Sequence, residues 1–542
     1  MKRIYKIFLS LLSGLLLAAA WPEHGFPFFL FVAFIPLLIV ENDHWNRRSE
    51  NHGSGFFWYG FLAFILFNIL TTYWLYNAAF VAVLAAVLIN TLLMTMVFQL
   101  FHWTHRKMLV ESAGYLALAG YWLSFEYLHL RWDLNWPWLN LGHGFAAYPK
   151  WIQWYEYTGV FGGSLWVLMV NILLFRFIHL RFFKKICSRA VGVTLICAVL
   201  SVVIPAGISF YIYGHYKEKP DPIEVVVVQP NLDPYNEQYE LDPEVVTGRM
   251  LQLAAQKSDS LTGFIVFPES AIQEYAWEDQ LDSVGSIRMV RDFIKRYPNM
   301  AAVVGMSTRK IFKPGEPLSV TARKFRDADR YYDAYNTALY VSHSGALQLH
   351  HKSKLTPGVE KMPYPKLFRF LERYALDLGG TIGSLASDKD QIPFDVGNGH
   401  KIAPVICYES VYGEFLNNFV RNGANAIFVI TNDGWWGNTP GHRQHLLFSS
   451  MRAIETRRSI ARSANTGISC FVNQRGDILQ RSEYWVPASV RSTINANTGL
   501  TFYVRYGDYI GRVFLLVAAL MFLLSLSIAL RSRKSRSTLL KR

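Results

Sequence analysis

Cysteine is scarce in this chain. Four occur in 542 residues, at positions 187, 197, 407 and 470, and none stands in a Cys-x-x-Cys pair or a Cys/His spacing suited to zinc. That excludes a zinc ribbon and a disulfide scaffold. A Cys407–Cys470 bridge stays open to a chain folded in an oxidising compartment, and it would consume the thiol singled out below. No Gly-x-Gly-x-x-Gly turn or phosphate loop follows an expected strand, so no nucleotide cofactor is expected. Acidic residues are also in short supply: 40 Asp and Glu against 54 Lys and Arg leave a net charge of +14. Such an excess raises nucleic acid as a partner, but its placement argues against one. The basic residues gather in short loops beside apolar runs and in the tail Arg531-Ser532-Arg533-Lys534-Ser535-Arg536, a pattern that membrane topology explains better than a polyanion does.

Hydrophobic length is abundant. The chain is 51% hydrophobic and 15% aromatic, with mean hydropathy +0.16. Residues 1–215 and 508–530 hold most of the long apolar runs, while 220–505 reads as a soluble domain. A helix needs about 20 apolar residues to cross a bilayer. Spans are expected near 6–21, 25–41, 55–76, 79–101, 113–130, 159–180, 190–213 and 508–530, a membrane α-helical bundle of about eight transmembrane helices. The first run follows Lys2 and Arg3 and ends Ala18-Ala19-Ala20, as a signal peptide would; Trp21-Pro22 and the spans beyond it favour a retained helix. With the N-terminus inside, Arg47, Arg48, Arg106, Lys107, Arg181, Lys184, Lys185 and Arg189 all fall on inside loops, as does the tail. The expected division is a seven-span bundle over 1–215, an outer domain over 216–505, a last span over 506–530 and a basic cytoplasmic tail over 531–542. In a bacterium the outer side is the periplasmic face of the inner membrane. The loop 131–158, also outside, carries Trp132, Trp136, Trp138, Trp151, Trp154 and His143. It reads either as an aromatic belt at the headgroups or as a lipid-contacting loop beside the active site.

In the soluble region β-branched runs recur at 223–228, 264–267, 302–304, 338–341, 402–406 and 426–430. Helical patterns lie between several of them, at 244–256, 284–296 and 445–458. The alternation predicts an α/β layered fold. The charged segment Lys310–Arg330, with Pro314 and Pro317, is expected to be a mobile loop or an insertion.

Three short pieces near strand ends supply an acid, an amine and a thiol: Phe267-Pro268-Glu269-Ser270, His351-Lys352-Ser353-Lys354 and Val405-Ile406-Cys407-Tyr408-Glu409. A free thiol is only a few per cent ionised near neutral pH and needs a base or a cationic neighbour. Glu269 could take its proton; Lys352 could stabilise the thiolate and an oxyanion. Taken singly, each has an ordinary reading: strand-end Glu and Lys are usually solvated, and a lone Cys is usually an inert core residue. Lys354 is a rival for Lys352, since in a strand both would point the same way.

The ordered set Glu269, Lys352, Cys407 resembles the Glu-Lys-Cys triad of the nitrilase superfamily, whose domain is an αββα sandwich. Seven spans, a nitrilase-like outer domain and one closing span resemble the layout of the apolipoprotein N-acyltransferases. The likeness extends to Tyr335-Asn336-Thr337-Ala338, Thr431-Asn432-Asp433-Gly434-Trp435-Trp436-Gly437, Met451-Arg452-Ala453-Ile454-Glu455 and Arg462-Ser463-Ala464-Asn465-Thr466-Gly467. It implies that Cys407 takes an acyl chain from a phospholipid as a thioester and passes it to the α-amine of a diacylated apolipoprotein, without metal or organic cofactor and without nucleic acid. It also implies supporting roles: Glu360 orienting Lys352 or Glu269, Tyr408 and Glu409 shaping the pocket, a backbone N–H near Tyr408 on the oxyanion, and Asn432, Trp435 and Trp436 on a substrate-facing loop. Two local departures are His350-His351 before the lysine, where the family often has Tyr-Asn, and Thr356-Pro357-Gly358-Val359-Glu360, where it often has Val-Pro-Phe-Gly-Glu. The lysine-to-glutamate spacing is kept, and it favours Lys352 over Lys354. The alternatives are a membrane-anchored nitrilase-like amidase using water, and a transporter or binding protein with a dead domain. The latter fits poorly with so few intramembrane charges.

Overall fold

The computed structural model describes residues 1–47, 55–78, 80–108, 111–238, 240–364 and 384–539. Arg48, read above on an inside loop, lies outside them, and beyond Arg531 the helix is described by its backbone to Leu539. The chain divides into two units: Met1–Tyr76, Phe80–Gly214 and Asp508–Arg542 form one, Asn77–Ala79 and His215–Gly507 the other.

The first unit is helical. Helices Arg3–Ala19, Phe56–Thr72, Phe80–Lys107, Glu111–His129, Tyr155–Ile178 and Arg189–His215, with the closing helix Tyr509–Leu539, fall on the expected spans; the helix Ile35–Asn46 overlaps only the end of the expected 25–41, whose start holds a 3-10 turn at Pro27–Phe31. Among the described residues six stretches are long and apolar enough to cross a membrane: Pro27–Asn46, Phe56–Asn77, Val83–Lys107, Tyr155–Phe183, Arg189–His215 and Tyr509–Arg531. Two expected spans stay below that measure. Arg3–Ala19 has 17 residues, about 26 Å of helix against a hydrocarbon core of about 30 Å. Glu111–His129 is diluted by Ser124, Glu126 and His129, all buried.

Polar groups inside this unit join helices to one another. Glu41 accepts from His102 at 2.7 Å and His105 at 3.1 Å. Ser124 Oγ donates to the Phe514 carbonyl at 3.0 Å, and Gly120 lets the closing helix approach near Ala518, the use of small residues that helix contacts in lipid require. The loop 131–158 forms short 3-10 turns. Trp138 is buried and packs at 5.1 Å from Trp74 and 5.5 Å from Trp136, and His143 is buried as well. Trp138 and His143 are therefore core of the first unit, while Trp132, Trp136, Trp151 and Trp154 are only partly buried.

The strands of the second unit are β1 (Pro222–Gln229), β2 (Phe264–Val266), β3 (Ile272–Trp277), β4 (Ala301–Ile311), β5 (Arg323–Lys324), β6 (Tyr331–Val341), β7 (Leu347–His351), β8 (Phe394–Gly397), β9 (His400–Ile406), β10 (Ala426–Thr431), β11 (Ile460–Ala464), β12 (Cys470–Val472), β13 (Ile478–Leu479) and β14 (Ala488–Asn495). One sheet runs β14-β1-β2-β4-β6-β5, with β3 beside β4 and β7 beside β6; the other runs β13-β12-β11-β10-β9-β8. Side-chain alternation along β1 shows the layering. Val226 and Val228 pack with Met250, Ala254, Ile287 and Val290 of helices Pro243–Ala255 and Gly285–Ile294. Val225 and Val227 pack with Ile402, Ile406, Phe428 and Ile430 of the second sheet. Helices Gly413–Arg421 and Pro440–Thr456 lie against the second sheet, which completes an αββα sandwich. Burial on both faces is why Val225–Val228 is an unbroken apolar run.

The segment Lys310–Arg330 is not a mobile loop. β4 and β6 pair antiparallel out to Ile311↔Tyr332, β5 adds Arg323↔Tyr332, and Phe325 stacks on Trp277 at 5.5 Å. Aromatic packing and backbone pairing make it a hairpin arm despite its charge and prolines.

Candidate active site

Each of the three candidate residues follows a strand. After β2, the peptide Phe267–Ser270 is pinned to β4: Phe267 N–H donates to the Val303 carbonyl at 2.8 Å and Gly305 N–H to the Pro268 carbonyl at 3.1 Å. A Cβ on Gly305 would stand 2.5 Å from the Pro268 oxygen and 2.6 Å from Glu269 Cα, so the acid's loop lies on bare backbone. Lys352 follows β7, its N–H donating to the Asn336 carbonyl at 2.8 Å. Cys407 follows β9 and opens the 3-10 turn Cys407–Val411 with φ +49°. Ser270, with φ +53°, is left-handed too. Backbone of this kind costs an L-residue roughly 1–2 kcal/mol and persists where its surroundings over-determine it.

The side chains converge on an ionic cluster. Lys352 Nζ donates to Glu269 Oε1 and to Glu360 Oε1, both at 2.8 Å. Asn336 Nδ2 donates to the same two oxygens, at 2.8 and 3.2 Å. Glu269 Oε2 accepts from the Asn432 N–H at 3.0 Å, and Glu360 Oε2 from the Thr356 N–H at 2.8 Å. Lys352 is 2% exposed, so these bonds form away from water. Lys354 goes elsewhere, its ammonium 5.2 Å from the Tyr412 ring centre and 6.0 Å from that of Phe415. β7 stops at His351, so strand alternation does not carry through the two lysines and they diverge.

Burial and neighbouring charge decide the protonation states. Burial pushes the Cys407 thiol well above its ordinary value and the Glu269 charge adds to this, while Lys352 and the neighbouring Thr431 hydroxyl pull the other way without winning. For Lys352, burial alone would favour loss of the proton; Glu269 and Glu360 reverse that and hold it as ammonium. Burial would raise Glu360, and Lys352 outweighs it and keeps the carboxyl low. The resting site thus holds a protonated thiol beside a fixed positive charge. Its sulfur becomes a nucleophile when a base takes the proton, not beforehand.

Tyr408 and Glu409 are both buried. Burial raises the Tyr408 phenol above its usual range, and its ring meets Tyr412 edge-on at 5.3 Å. Glu409 accepts from backbone: Ile406 N–H at 2.8 Å and Ser353 N–H at 2.6 Å, with His350 Nε2 at 3.3 Å. His351 bridges Asp388 and Glu278, each at 2.7 Å.

Several residues around the site carried no assigned role in the sequence reading. Gln238 accepts from Asn432 Nδ2 at 2.6 Å and donates to the Ser270 carbonyl at 2.9 Å, joining two loops that touch Glu269. Asp433 accepts from Thr431 Oγ1 at 2.7 Å and Arg462 at 2.6 Å and sits 3.0 Å from His445 Nδ1. Burial would raise Asp433, but Arg462 and His445 hold it far below the usual carboxylate range. Cys407, Asp433 and His445 have ligand atoms within 4.8 Å of one another, yet the Arg462 guanidinium already supplies the positive charge there. Among these residues Asp433 and Arg462 lay in the family-like segments, and the charge of Arg462 inside the apolar strand β11 was the available signal. Cys407 and Cys470 are both free, and burial pushes the Cys470 thiol up to about 12.

Residues 13–173 match the apolipoprotein N-acyltransferase N-terminal domain and residues 225–496 the carbon-nitrogen hydrolase family. A protein of Chlorobaculum tepidum named apolipoprotein N-acyltransferase is 28% identical over 537 residues, covering 96% of both chains. One of the same name from Geobacter metallireducens is 27% identical over 514 residues, covering 92% of this chain and 91% of its own. Among solved structures, Saccharomyces cerevisiae Nit3, a member of branch 10 of the nitrilase superfamily, matches 52% of this chain and 92% of its own at 17% identity and a TM-score of 0.36.

Proposed function

Since this chain belongs to the carbon-nitrogen hydrolase family and, within it, to the apolipoprotein N-acyltransferases, we propose that it is a membrane enzyme that moves an acyl chain from a phospholipid, through a thioester on Cys407, to the α-amine of the N-terminal diacylglyceryl-cysteine of an apolipoprotein. The observation that carries this reading is Lys352, buried between Glu269 and Glu360, with the charges of Lys352 and Glu269 both acting on the Cys407 thiol.

In the first half-reaction Glu269 takes the thiol proton as sulfur attacks the ester carbonyl. Lys352 and the Tyr408 N–H meet the charge that develops on oxygen. Collapse breaks the ester C–O bond, and the lysophospholipid leaves as an alcohol with the proton from Glu269. In the second half-reaction the α-amine attacks the thioester carbonyl and Glu269 takes a proton from it. The C–S bond breaks, an amide remains, and the thiolate recovers its proton from Glu269. Two steps through a thioester replace one difficult transfer. Both substrates carry acyl chains in the bilayer, so a membrane scaffold limits the depth at which the carbonyl meets the thiol. Glu360 holds Lys352 in place; Glu409 and Tyr408 shape the turn. These steps need no metal or organic cofactor.

The positive-inside pattern supports placing 1–215 and 506–530 in a bacterial inner membrane, the domain 216–505 on its periplasmic side and the tail 531–542 in the cytoplasm. A water-using amidase would employ the same triad, but the match of residues 13–173 favours the transferase. Intact mass spectrometry of the protein in phospholipid tests the reading. A fatty-acyl mass gain should appear, be released by hydroxylamine, be absent from Cys407→Ala, and discharge onto a diacylated lipopeptide. Discharge onto water alone would select the amidase.

A further inference from the structure

The carbonyl oxygen of Cys407 is held from one side by two groups. Ser410 Oγ donates to it at 2.7 Å and His445 Nε2 lies 3.0 Å away, with Ser410 Oγ and His445 Nε2 2.8 Å apart. The Cys407–Tyr408 peptide is trans, as are the other described peptides. In a trans peptide C=O and N–H point in opposite directions from one rigid plane. Whatever fixes the Cys407 carbonyl therefore also aims the Tyr408 N–H, away from His445 and Ser410. We propose that His445 and Ser410 are positioning residues that lock the Cys407–Tyr408 peptide so that the Tyr408 N–H meets the oxyanion of each tetrahedral intermediate. This rests on the acyl-transfer reading above.

Two further observations support it. Cys407 has φ +49°, so the turn sits in a conformation that needs external restraint. His445 is also braced: its Nδ1 lies 3.0 Å from Asp433 Oδ1 and 3.1 Å from Arg462, the edge of Trp436 stands 5.5 Å from its ring, and Asp433 is fixed by Arg462 and Thr431. His445, Asp433, Arg462, Thr431 and Ser410 are each at most 1% exposed. Three segments, β10 with its following turn, β11 and the helix Pro440–Thr456, thus brace a histidine whose other nitrogen faces the Cys407 carbonyl and the Ser410 hydroxyl that donates to it. The same arrangement brings Cys407, His445 and Asp433 together in the order of a thiol–imidazole–carboxylate triad. In that rival role His445 would take the thiol proton, yet its Nε2 is engaged by the Cys407 carbonyl and Ser410, and its Nδ1 faces Asp433.

Alkylation and acylation of the same thiol separate these roles. Iodoacetamide reacts at saturated carbon and builds no oxyanion; attack on an ester does. The full-length protein in phosphatidylethanolamine micelles is compared as wild type, His445→Leu, His445→Gln and Ser410→Ala. Thioester formation in His445→Leu should fall about 10²- to 10³-fold, the loss expected for a misaimed oxyanion donor. Alkylation of Cys407 should stay within about twofold, since the thiol and its acid are untouched. His445→Gln, which still carries an N–H donor, should recover at least about tenfold of the acylation rate, and Ser410→Ala should show a smaller selective loss. A parallel fall of alkylation and acylation in His445→Leu would overturn the proposal, because His445 would then serve the thiol itself or the turn would have collapsed. Unchanged acylation would overturn it as well. Failure of the wild type to form any thioester would instead remove the acyl-transfer reading.

Discussion

Glu409 Oε1 accepts the Ser353 N–H at 2.6 Å, so the carboxylate that follows the thiol in sequence holds the backbone that follows the lysine. Its second oxygen accepts from Ile406 N–H at 2.8 Å, on the strand that delivers the thiol. Glu409→Gln exchanges one acceptor for a donor and leaves a buried N–H unmatched. A stability loss of about 1–3 kcal/mol is expected, with thioester formation slowed more than about tenfold by misplacement of the turn. Thermal melts and adduct kinetics on the variant measure both. An unaltered melt would mean that water replaces the bracket.

The two lysines should separate cleanly. Lys352→Met strands Glu269 and Glu360 against each other without their shared cation. It should abolish the adduct and destabilise the domain by about 3–5 kcal/mol. The double variant Lys352→Met, Glu360→Gln should be less destabilised than the two single losses added, since the residues interact directly. Lys354→Met removes contacts with Tyr412 and Phe415 and should cost about 0.5–1 kcal/mol with the chemistry retained. Loss of the adduct in Lys354→Met with Lys352→Met still active would reverse the assignment.

Gly305→Ala tests the loop under Glu269. The new methyl group would press on the Pro268 carbonyl and Glu269 Cα, so the acid must move. Acyl transfer should fall by about 10²-fold, the cost of roughly 1 Å of misplacement. Alkylation of Cys407 would report that the turn on the second sheet is intact.

The thiol should titrate late. Burial and Glu269 raise Cys407 above the ordinary cysteine range, so its alkylation rate should still be climbing beyond pH 9, where a solvated thiol with a pKa of about 8.5 is levelling off. A cysteine-containing model peptide in the same buffer is the reference, read by mass. Glu269→Gln should shift the Cys407 profile down and Lys352→Met should shift it up. A plateau near pH 7 in the wild type would mean a preformed thiolate and a different activation.

His351 gives a pH dependence of stability with a definite sign. Burial alone would lower it, but the bonds to Asp388 and Glu278 lift it from 6.5 to about 9. Its contribution is therefore complete below about pH 6.5 and is lost as the pH rises through about 9. The ceiling is about 3 kcal/mol, and the real figure is smaller because the Asp388 side chain is 53% exposed and screened by solvent. Melting temperature should fall between pH 6.5 and 9 in the wild type and change less in His351→Gln.

Much of this site was legible because strand ends are local. Val225–Val228, Ile402–Ile406 and Ala426–Ile430 announce buried strands by composition, and Glu269, Lys352 and Cys407 stand just beyond strands. The bonds among them were hidden by distance in sequence: Asn432 donates to Glu269 across 163 positions, and Gln238 reaches Asn432 across 194. Periodicity left Lys354 open as a rival to Lys352, which the lysine-to-glutamate spacing decided correctly, and composition misled at one arm. Strand alternation was extended past His351, where β7 has ended, and charge and proline made Lys310–Arg330 look unpaired although Trp277, Phe325 and Tyr332 pack there. Trp138 and His143 show the limit of reading aromatic loops by composition, since burial in a helical unit and residence at a lipid surface use the same residues.

Glu269 and Lys352 extend from one sheet and Cys407 from the other, and only stacking of the sheets brings them together. In a chain whose sheets have not yet stacked, the thiol has neither that carboxylate nor that ammonium beside it. On the acyl-transfer reading, the chemistry of Cys407 then belongs to the stacked pair of sheets and to neither sheet alone.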